Sequence, residues 1–196
     1  MSRALLSGAA LVLLFAAQSA DAREGKTKNV LIVYGSYAGS TAEIADSMKA
    51  ALGRAGYSAH AVPASGSATD LSPYDLVVIG SAIHGGRVNE KVTAFVRANR
   101  AALAEKPLAV FATCATITSS MANRRKAAEA YPDKVAFGLP VVGRAVFAGK
   151  MPPSGRIGTL MGKLILGITP GDYRDWKRIE AWAVSLPGLS RQAEAK

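Results

Sequence analysis

The chain has 196 residues, enough for one domain with a sizeable core, and carries a formal net charge of +10 at pH 7. A single cysteine, Cys114, excludes an intrachain disulfide, and with only two histidines it cannot supply the ligands of a structural zinc or an iron–sulfur cluster, so no metal site is expected. The positive excess favours acidic partners or an anionic membrane surface, whereas nucleic acid is not expected: the densest basic cluster is only Arg124, Arg125 and Lys126, and no recognition motif accompanies it.

In chain order, Arg3 precedes an apolar run at 4–17, and the small residues Ala20 and Ala22 follow it. Residues 1–22 read as an export signal, or as a membrane anchor through 4–17. The run is shorter than the roughly 20 residues that cross a bilayer comfortably. A periplasmic or otherwise exported protein, or a membrane-anchored one, is the expectation, with a cytoplasmic domain left open. Residues 23–28 form a charged lead-in.

Residues 30–34 are continuously apolar, as expected of a strand covered on both faces. The small and hydroxyl-bearing stretch Ser36, Tyr37, Ala38, Gly39, Ser40, Thr41 follows, then a helical pattern over 41–55 with Ile44, Met48 and Leu52 on one side. A tight turn that enters a helix leaves backbone N–H groups unpaired, with the positive end of the helix dipole behind them, which makes an anion site. Ser36, Ser40 and Thr41 add hydroxyls. No Lys or Arg lies between 30 and 47, so an anion there would be held by neutral donors. The lysine of a nucleoside-triphosphate loop and the spacing of a dinucleotide fingerprint are both missing. A helix capped by Ser40 or Thr41 with nothing bound is the alternative that the local sequence leaves open.

A partly exposed strand is predicted at 58–62, with His60 as an edge or surface residue. The apolar run at 75–80 ends in Ser81, Ala82, Ile83, His84, Gly85 and Gly86. Asn89 can cap a helix over 90–100 that turns Val92, Phe95 and Val96 inward. A third apolar strand at 107–112 runs out into Thr113, Cys114, Ala115 and Thr116. A polar helix over 119–130 follows, then apolar stretches at 135–142 and 145–148. Strands alternating with helical crossovers make a doubly wound α/β sheet with helices on both faces. Ligands of such sheets bind beyond the carboxyl ends of the strands, so the three small-residue loops should meet at one site.

Residues 149–170 do not read as core. Pro152 and Pro153 interrupt them, and Ile157, Leu160, Met161, Leu164, Ile165 and Leu166 then crowd together beside Arg156 and Lys163. The stretch is either a short helix packed beneath the domain or an exposed apolar patch with a basic rim, suited to a membrane surface or a hydrophobic substrate. A final helix follows, with Asp175 as cap and Trp176, Ile179, Trp182 and Ala183 at helical spacing, both tryptophans expected in the core. Residues 188–196 read as a polar tail.

Three features together carry a family likeness: Ser36-x-x-Gly39-x-Thr41 after an apolar strand, Val78-Ile79-Gly80-Ser81 before a glycine-containing loop, and the ending Gly171-Asp-Tyr-Arg-Asp-Trp-x-x-Ile179-x-x-Trp182-Ala. Over about residues 29–187 the chain resembles the flavodoxin-domain proteins, and is most similar to the branch containing the flavodoxin-type, quinone-dependent protoporphyrinogen oxidase. The resemblance implies a five-stranded parallel sheet in order 2-1-3-4-5 that binds one FMN without a covalent bond. Residues 36–41 would surround the phosphate, 81–86 would lie along one side of the isoalloxazine, and 113–116 along the other. In that oxidase the region before the last helix carries an insertion linked to activity with a membrane quinone, and 151–170 occupies that position here. One departure is that neither 81–86 nor 113–116 contains Phe, Tyr or Trp, so aromatic stacking, worth about 0.5–1.5 kcal/mol beyond area burial, is not expected from them. Ile83 and His84 would cover the ring instead.

The implied function is FMN-dependent electron transfer or quinone-linked oxidoreduction, with a redox protein, a quinone or a small hydrophobic substrate as partner. A protoporphyrinogen dehydrogenase-type enzyme and a flavin-free structural or partner-binding domain are the alternatives, so whether the chain is an enzyme stays open. No protein nucleophile or acid–base dyad is visible. His84 is the candidate for proton delivery, because an imidazole exchanges protons near neutral pH, and the alternative is a solvent-facing loop residue. Cys114 either donates weakly near the ring or fills space at a strand end.

Overall fold

A computed structural model describes residues 28–151 and 155–194. Its strands in chain order are β1 (Asn29–Gly35), β2 (Ser58–Pro63), β3 (Leu76–His84), β4 (Arg87–Val88), β5 (Leu108–Thr113) and β6 (Gly143–Phe147). The main sheet runs β2-β1-β3-β5-β6, all parallel, with β4 folded back antiparallel on the end of β3. With that short hairpin strand set aside, this is the expected 2-1-3-4-5 order, and the fold is the expected flavodoxin-like α/β sandwich.

Val30, Leu31, Ile32 and Val33 of β1, Leu76, Val77, Val78 and Ile79 of β3, and Leu108, Ala109, Val110 and Phe111 of β5 are all buried. Alternate residues face opposite layers. One layer includes α2 (Glu90–Ala98) and α5 (Tyr131–Ala136), which pack Val92, Phe95, Val96 and Val135 against Leu31, Val77 and Val110. The other consists of α1 (Ser40–Arg54) and α7 (Trp176–Glu194), which pack Ile44, Met48, Leu52, Ile179 and Leu186 against Val30, Val78 and Phe111. Each such side chain contributes about 1.5–3 kcal/mol by leaving water. Gly80 makes room for a neighbour: a Cβ there would lie 2.0 Å from the Phe111 ring. That ring meets Phe147 and Trp182 edge-on, with centroids 5.9 and 6.2 Å away.

Local signals set most boundaries. Asn89 accepts a hydrogen bond from the Lys91 N–H and so caps α2, and Asp175 does the same for the Arg178 N–H at the start of α7. The helix expected over 90–100 stops at Ala98, and α3 (Arg100–Ala104) follows it. The single polar helix expected over 119–130 divides into a 3₁₀ turn (Ala115–Thr118), α4 (Ala122–Glu129) and α5, which begins where Pro132 suits a first helical turn. The polar tail expected from 188 continues α7 through Glu194, with Pro187 inside the helix.

Between β6 and α7 lie β7 (Lys150–Met151), α6 (Gly155–Met161), a π turn (Gly162–Leu166) and β8 (Gly171–Asp172), with β7 and β8 paired antiparallel. Leu160, Met161, Leu164 and Ile165 are 47–62% exposed, so of the two readings of this stretch the exposed apolar patch is the observed one. Pro152 and Pro153 and the side chains of Arg156 and Ile157 lie outside the described residues.

Two expectations need correction. Trp176 is not a core anchor: it is 38% exposed, because at the first turn of α7 its ring faces the Arg174 guanidinium, 4.5 Å from its centroid, instead of the sheet. Trp182 does pack on the core aromatics, with its centroid 5.6 Å from that of Phe147. A membrane anchor is also not found among the described residues, since none of their helices is long and apolar enough to cross a membrane. The run at 4–17, and with it the expected export signal or anchor at 1–22, lies outside the described residues.

Candidate functional site

The site grows from the turn between β1 and α1. Ser36 folds the turn on itself, its hydroxyl accepting the Gly39 N–H at 3.0 Å. Gly39 sits at φ 89°, a left-handed conformation that a residue with a Cβ resists. No side chain caps α1, so the cap by Ser40 or Thr41 that the local sequence leaves open as an alternative is not formed. The first-turn amides and the positive end of the helix dipole are left to the pocket in front of them.

That pocket, about 160 Å³, is lined by Ser36, Tyr37, Ala38, Ser40 and Thr41 from this turn, Ala82, Ile83 and His84 from the end of β3, and Thr113 at the end of β5 with Cys114 and Ala115 after it. Gly149 and Lys150 close it. Ser40 does not cap the helix but holds this closing segment, accepting the Lys150 N–H at 3.0 Å.

A second cleft of about 440 Å³ continues from the first and shares Ile83, His84, Cys114, Ala115 and Lys150 with it. Gly85 and Gly86, both at positive φ, form the hairpin tip on one side, and Thr116 stands on the other. Tyr131, Met151, Leu166 and Ile168 add apolar surface, with Arg124 at the rim. The combined cleft is narrow at the helix start, where Ser36, Ser40 and Thr41 present hydroxyls, and broader beyond, where Tyr131, Met151, Leu166 and Ile168 stand among His84, Thr116, Arg124 and Lys150.

Thr41 and Thr113 are only 1% and 5% exposed, yet their hydroxyl oxygens, like that of Thr116, have no hydrogen-bond partner among the described residues. An unpaired buried polar group costs about 1–3 kcal/mol. Such a cost is recovered when a ligand brings the missing partner. Neutral hydroxyls and backbone amides at a helix start suit a phosphate ester, and the apolar side chains of Ile83, Tyr131, Leu166 and Ile168 in the broad end suit a flat ring, so the residues present fit a phosphorylated aromatic cofactor. Among the described residues no cluster of His, Cys, Asp or Glu could hold a metal ion.

Two expected residues act behind the site. Ser81 is fully buried, donating to the Ala82 carbonyl and accepting the Asn89 N–H, both at 2.9 Å, so it braces the hairpin. Gly39 shapes the turn but does not line the pocket. His84 is exposed at the mouth, its ring edge-on to Tyr37 with centroids 5.7 Å apart. Cys114 is buried, and burial pushes its thiol pKa above the ordinary value.

Sequence reasoning misses Lys150 and Tyr131 as lining residues, whereas Met151, Leu166 and Ile168 lie in the stretch it offers to a hydrophobic substrate. The segments 81–86 and 113–116 lack aromatic rings, but the fold brings Tyr37 and Tyr131 to the same clefts from other elements. One signal could have found the first of these: the rule that places ligands beyond strand ends applies to β6 as well, and points at the residues just after Phe147.

A family model described as "Flavodoxin domain" matches residues 31–154. No curated protein matches this sequence. Among solved structures, oxidised Flavodoxin 1 from Bacillus cereus is similar at 18% identity, over 82% of this chain and 98% of that one, with a TM-score of 0.55. Oxidised Flavodoxin 2 from Bacillus cereus is similar at 20% identity over the same shares, with a TM-score of 0.54. A point mutant of a flavodoxin from Pseudomonas aeruginosa is similar at 15% identity, over 83% of this chain and 99% of that one, with a TM-score of 0.53. At these identities the likeness is one of fold.

Proposed function

The chain belongs to the flavodoxin-domain family, and from that premise we propose that it binds one FMN without a covalent bond and works in electron transfer or quinone-linked oxidoreduction. The observation that carries this reading is the uncapped start of α1 beside the buried, unpartnered hydroxyls of Thr41 and Thr113. The turn at 36–41 holds the phosphate with its amides and the Thr41 hydroxyl. Ala82, Ile83, His84, Gly85 and Gly86 orient one side of the ring system, and Thr113, Cys114, Ala115 and Thr116 the other. Ile83, Tyr131, Leu166 and Ile168 exclude water from the broad end. His84 is the one imidazole at the mouth and can hold or pass a proton there. Bound flavin supplies one- and two-electron chemistry, while the protein contributes position and local charge. The unit spans 29–194, with the stretch 149–170 inserted before the last helix.

Titrating the purified chain with FMN and following the visible spectrum tests the reading. Saturable binding of one FMN per chain is expected. No binding at any FMN concentration overturns it and leaves the flavin-free alternative.

A second reading, dehydrogenation of a hydrophobic substrate as in the protoporphyrinogen oxidase branch, is favoured by the exposed Leu160, Met161, Leu164 and Ile165, which lie in the segment that also supplies Leu166 and Ile168 to the broad cleft. It requires substrate-dependent reduction of the bound flavin. Intact FMN binding without such reduction rejects it.

A further inference from the structure

The two-stranded ribbon β7–β8 is tied to the start of α1 at two points. One is the Lys150 N–H donated to Ser40. The other is Arg174, just after β8, whose guanidinium donates to Glu43 through Nη1 at 2.5 Å and to both carboxylate oxygens of Asp172 through Nε and Nη2, at 2.7 and 2.5 Å. The Arg174 side chain is 5% exposed although its two carboxylate partners are largely open to solvent. Trp176 covers its face.

Glu43 stands in the first turn of α1, and its Oε1 lies 3.7 Å from where a Cβ on Gly39 would be. A carboxylate in that place favours the helix by meeting the positive end of its dipole. It also competes with any anion bound at the same amides. A cationic partner removes that competition without removing the carboxylate. Asp172 adds a further negative charge beside Glu43, and Arg174 faces both, with Lys150 also acting on Asp172, so the two cations together offset the two carboxylates.

We propose that Arg174 is a positioning residue that sets the chain's preference for a phosphorylated flavin over an unphosphorylated one, by neutralising Glu43 beside the phosphate turn and latching the ribbon against it. The proposal rests on the FMN reading above. It assigns to the Gly171-Asp-Tyr-Arg-Asp-Trp segment an electrostatic task at the phosphate end, away from the reacting ring.

The test compares FMN with riboflavin, which differ only in the phosphate, by flavin fluorescence titration of the full chain at low ionic strength. In R174M, FMN binding weakens by roughly three- to tenfold, the scale of one unscreened neighbouring charge, while riboflavin binding is unchanged. Added salt shrinks the difference. The double variant R174M/E43Q recovers FMN binding toward the wild-type value, which a purely structural latch would not do. Glu43→Gln alone leaves Arg174 unopposed on that side, so FMN binds more tightly and riboflavin as before. This arm decides the matter even if R174M does not fold. Equal weakening of both flavins in R174M, a double variant no tighter than R174M, or E43Q without effect on FMN overturns the proposal. A wild-type chain that binds neither flavin overturns the FMN reading itself, before any variant is made.

Discussion

The inner strands and the β7–β8 insertion are held in opposite ways. In β1, β3 and β5 the apolar runs 30–33, 76–79 and 108–112 are buried between two helical layers, so hydrophobic packing keeps them in place. The insertion leaves Leu160, Met161, Leu164 and Ile165 in solvent, buries Ile168, and is fixed largely by polar contacts: Ser40 to Lys150, Glu43 to Arg174, and the Ser119 hydroxyl donating to the Leu166 carbonyl. Stability resides in the first region. The second spends its contacts on shaping the pocket that the first leaves open at its edge.

Cutting into the core should have the largest effect. Phe111→Ala removes a fully buried ring on which Phe147 and Trp182 rest, and is expected to lower unfolding stability by about 3–5 kcal/mol in a urea titration. A loss under about 1 kcal/mol would show that the sheet is not the stabilising unit. At the boundary between the regions, Thr41→Val should split stability from binding. The chain without ligand gains about 1 kcal/mol or more because an unpaired buried hydroxyl is gone, while FMN binding weakens by at least about tenfold, the worth of one hydrogen bond to a charged group. Parallel losses in both would mean that the hydroxyl serves the fold.

Acid should act on the insertion through Asp172. The Arg174 guanidinium holds the Asp172 carboxyl at about 2, below the ordinary 3.8. A carboxyl whose folded pKa is depressed stabilises fully above the unfolded value, and that contribution fades as pH falls from 3.8 toward about 2. The effect is small and salt-sensitive because Asp172 is 41% exposed. Asp172→Asn should remove this part of the acid dependence of unfolding, and an unchanged profile would deny the pair a role. Smallest of all, Leu164→Glu at a 62% exposed site should shift unfolding stability by no more than about 0.5 kcal/mol. A larger loss would place the patch in the packed core.

What is legible in the sequence divides along the same line. The strands at 30–34, 75–80 and 107–112 are visible because uninterrupted aliphatic residues have few alternatives to a strand covered on both faces. The caps Asn89 and Asp175 announce themselves locally. The three loops can be brought together on paper because a parallel sheet places strand ends on one edge. Lys150 escapes such reasoning, since Ser40 holds it from 110 residues away, and Arg174 reaches Glu43 across 131. Trp176 shares the helical spacing of a core residue, and only the folded position of Arg174 explains its exposure. The run Ser81 to Gly86 reads as a strand exit, yet Gly85 and Gly86 let it turn back as a hairpin, so β3 extends to His84.

The chain's two tryptophans occupy unlike surroundings. Trp182 lies edge-on to Phe111 and Phe147, whereas Trp176 is half-open to water beneath a guanidinium. The protein thus carries two built-in fluorophores, one for each of its mechanical parts. With Trp182→Phe the remaining emission follows release of the ribbon, and with Trp176→Phe it follows melting of the sheet. Opening of the pocket wall can therefore be timed separately from global unfolding without attaching a label.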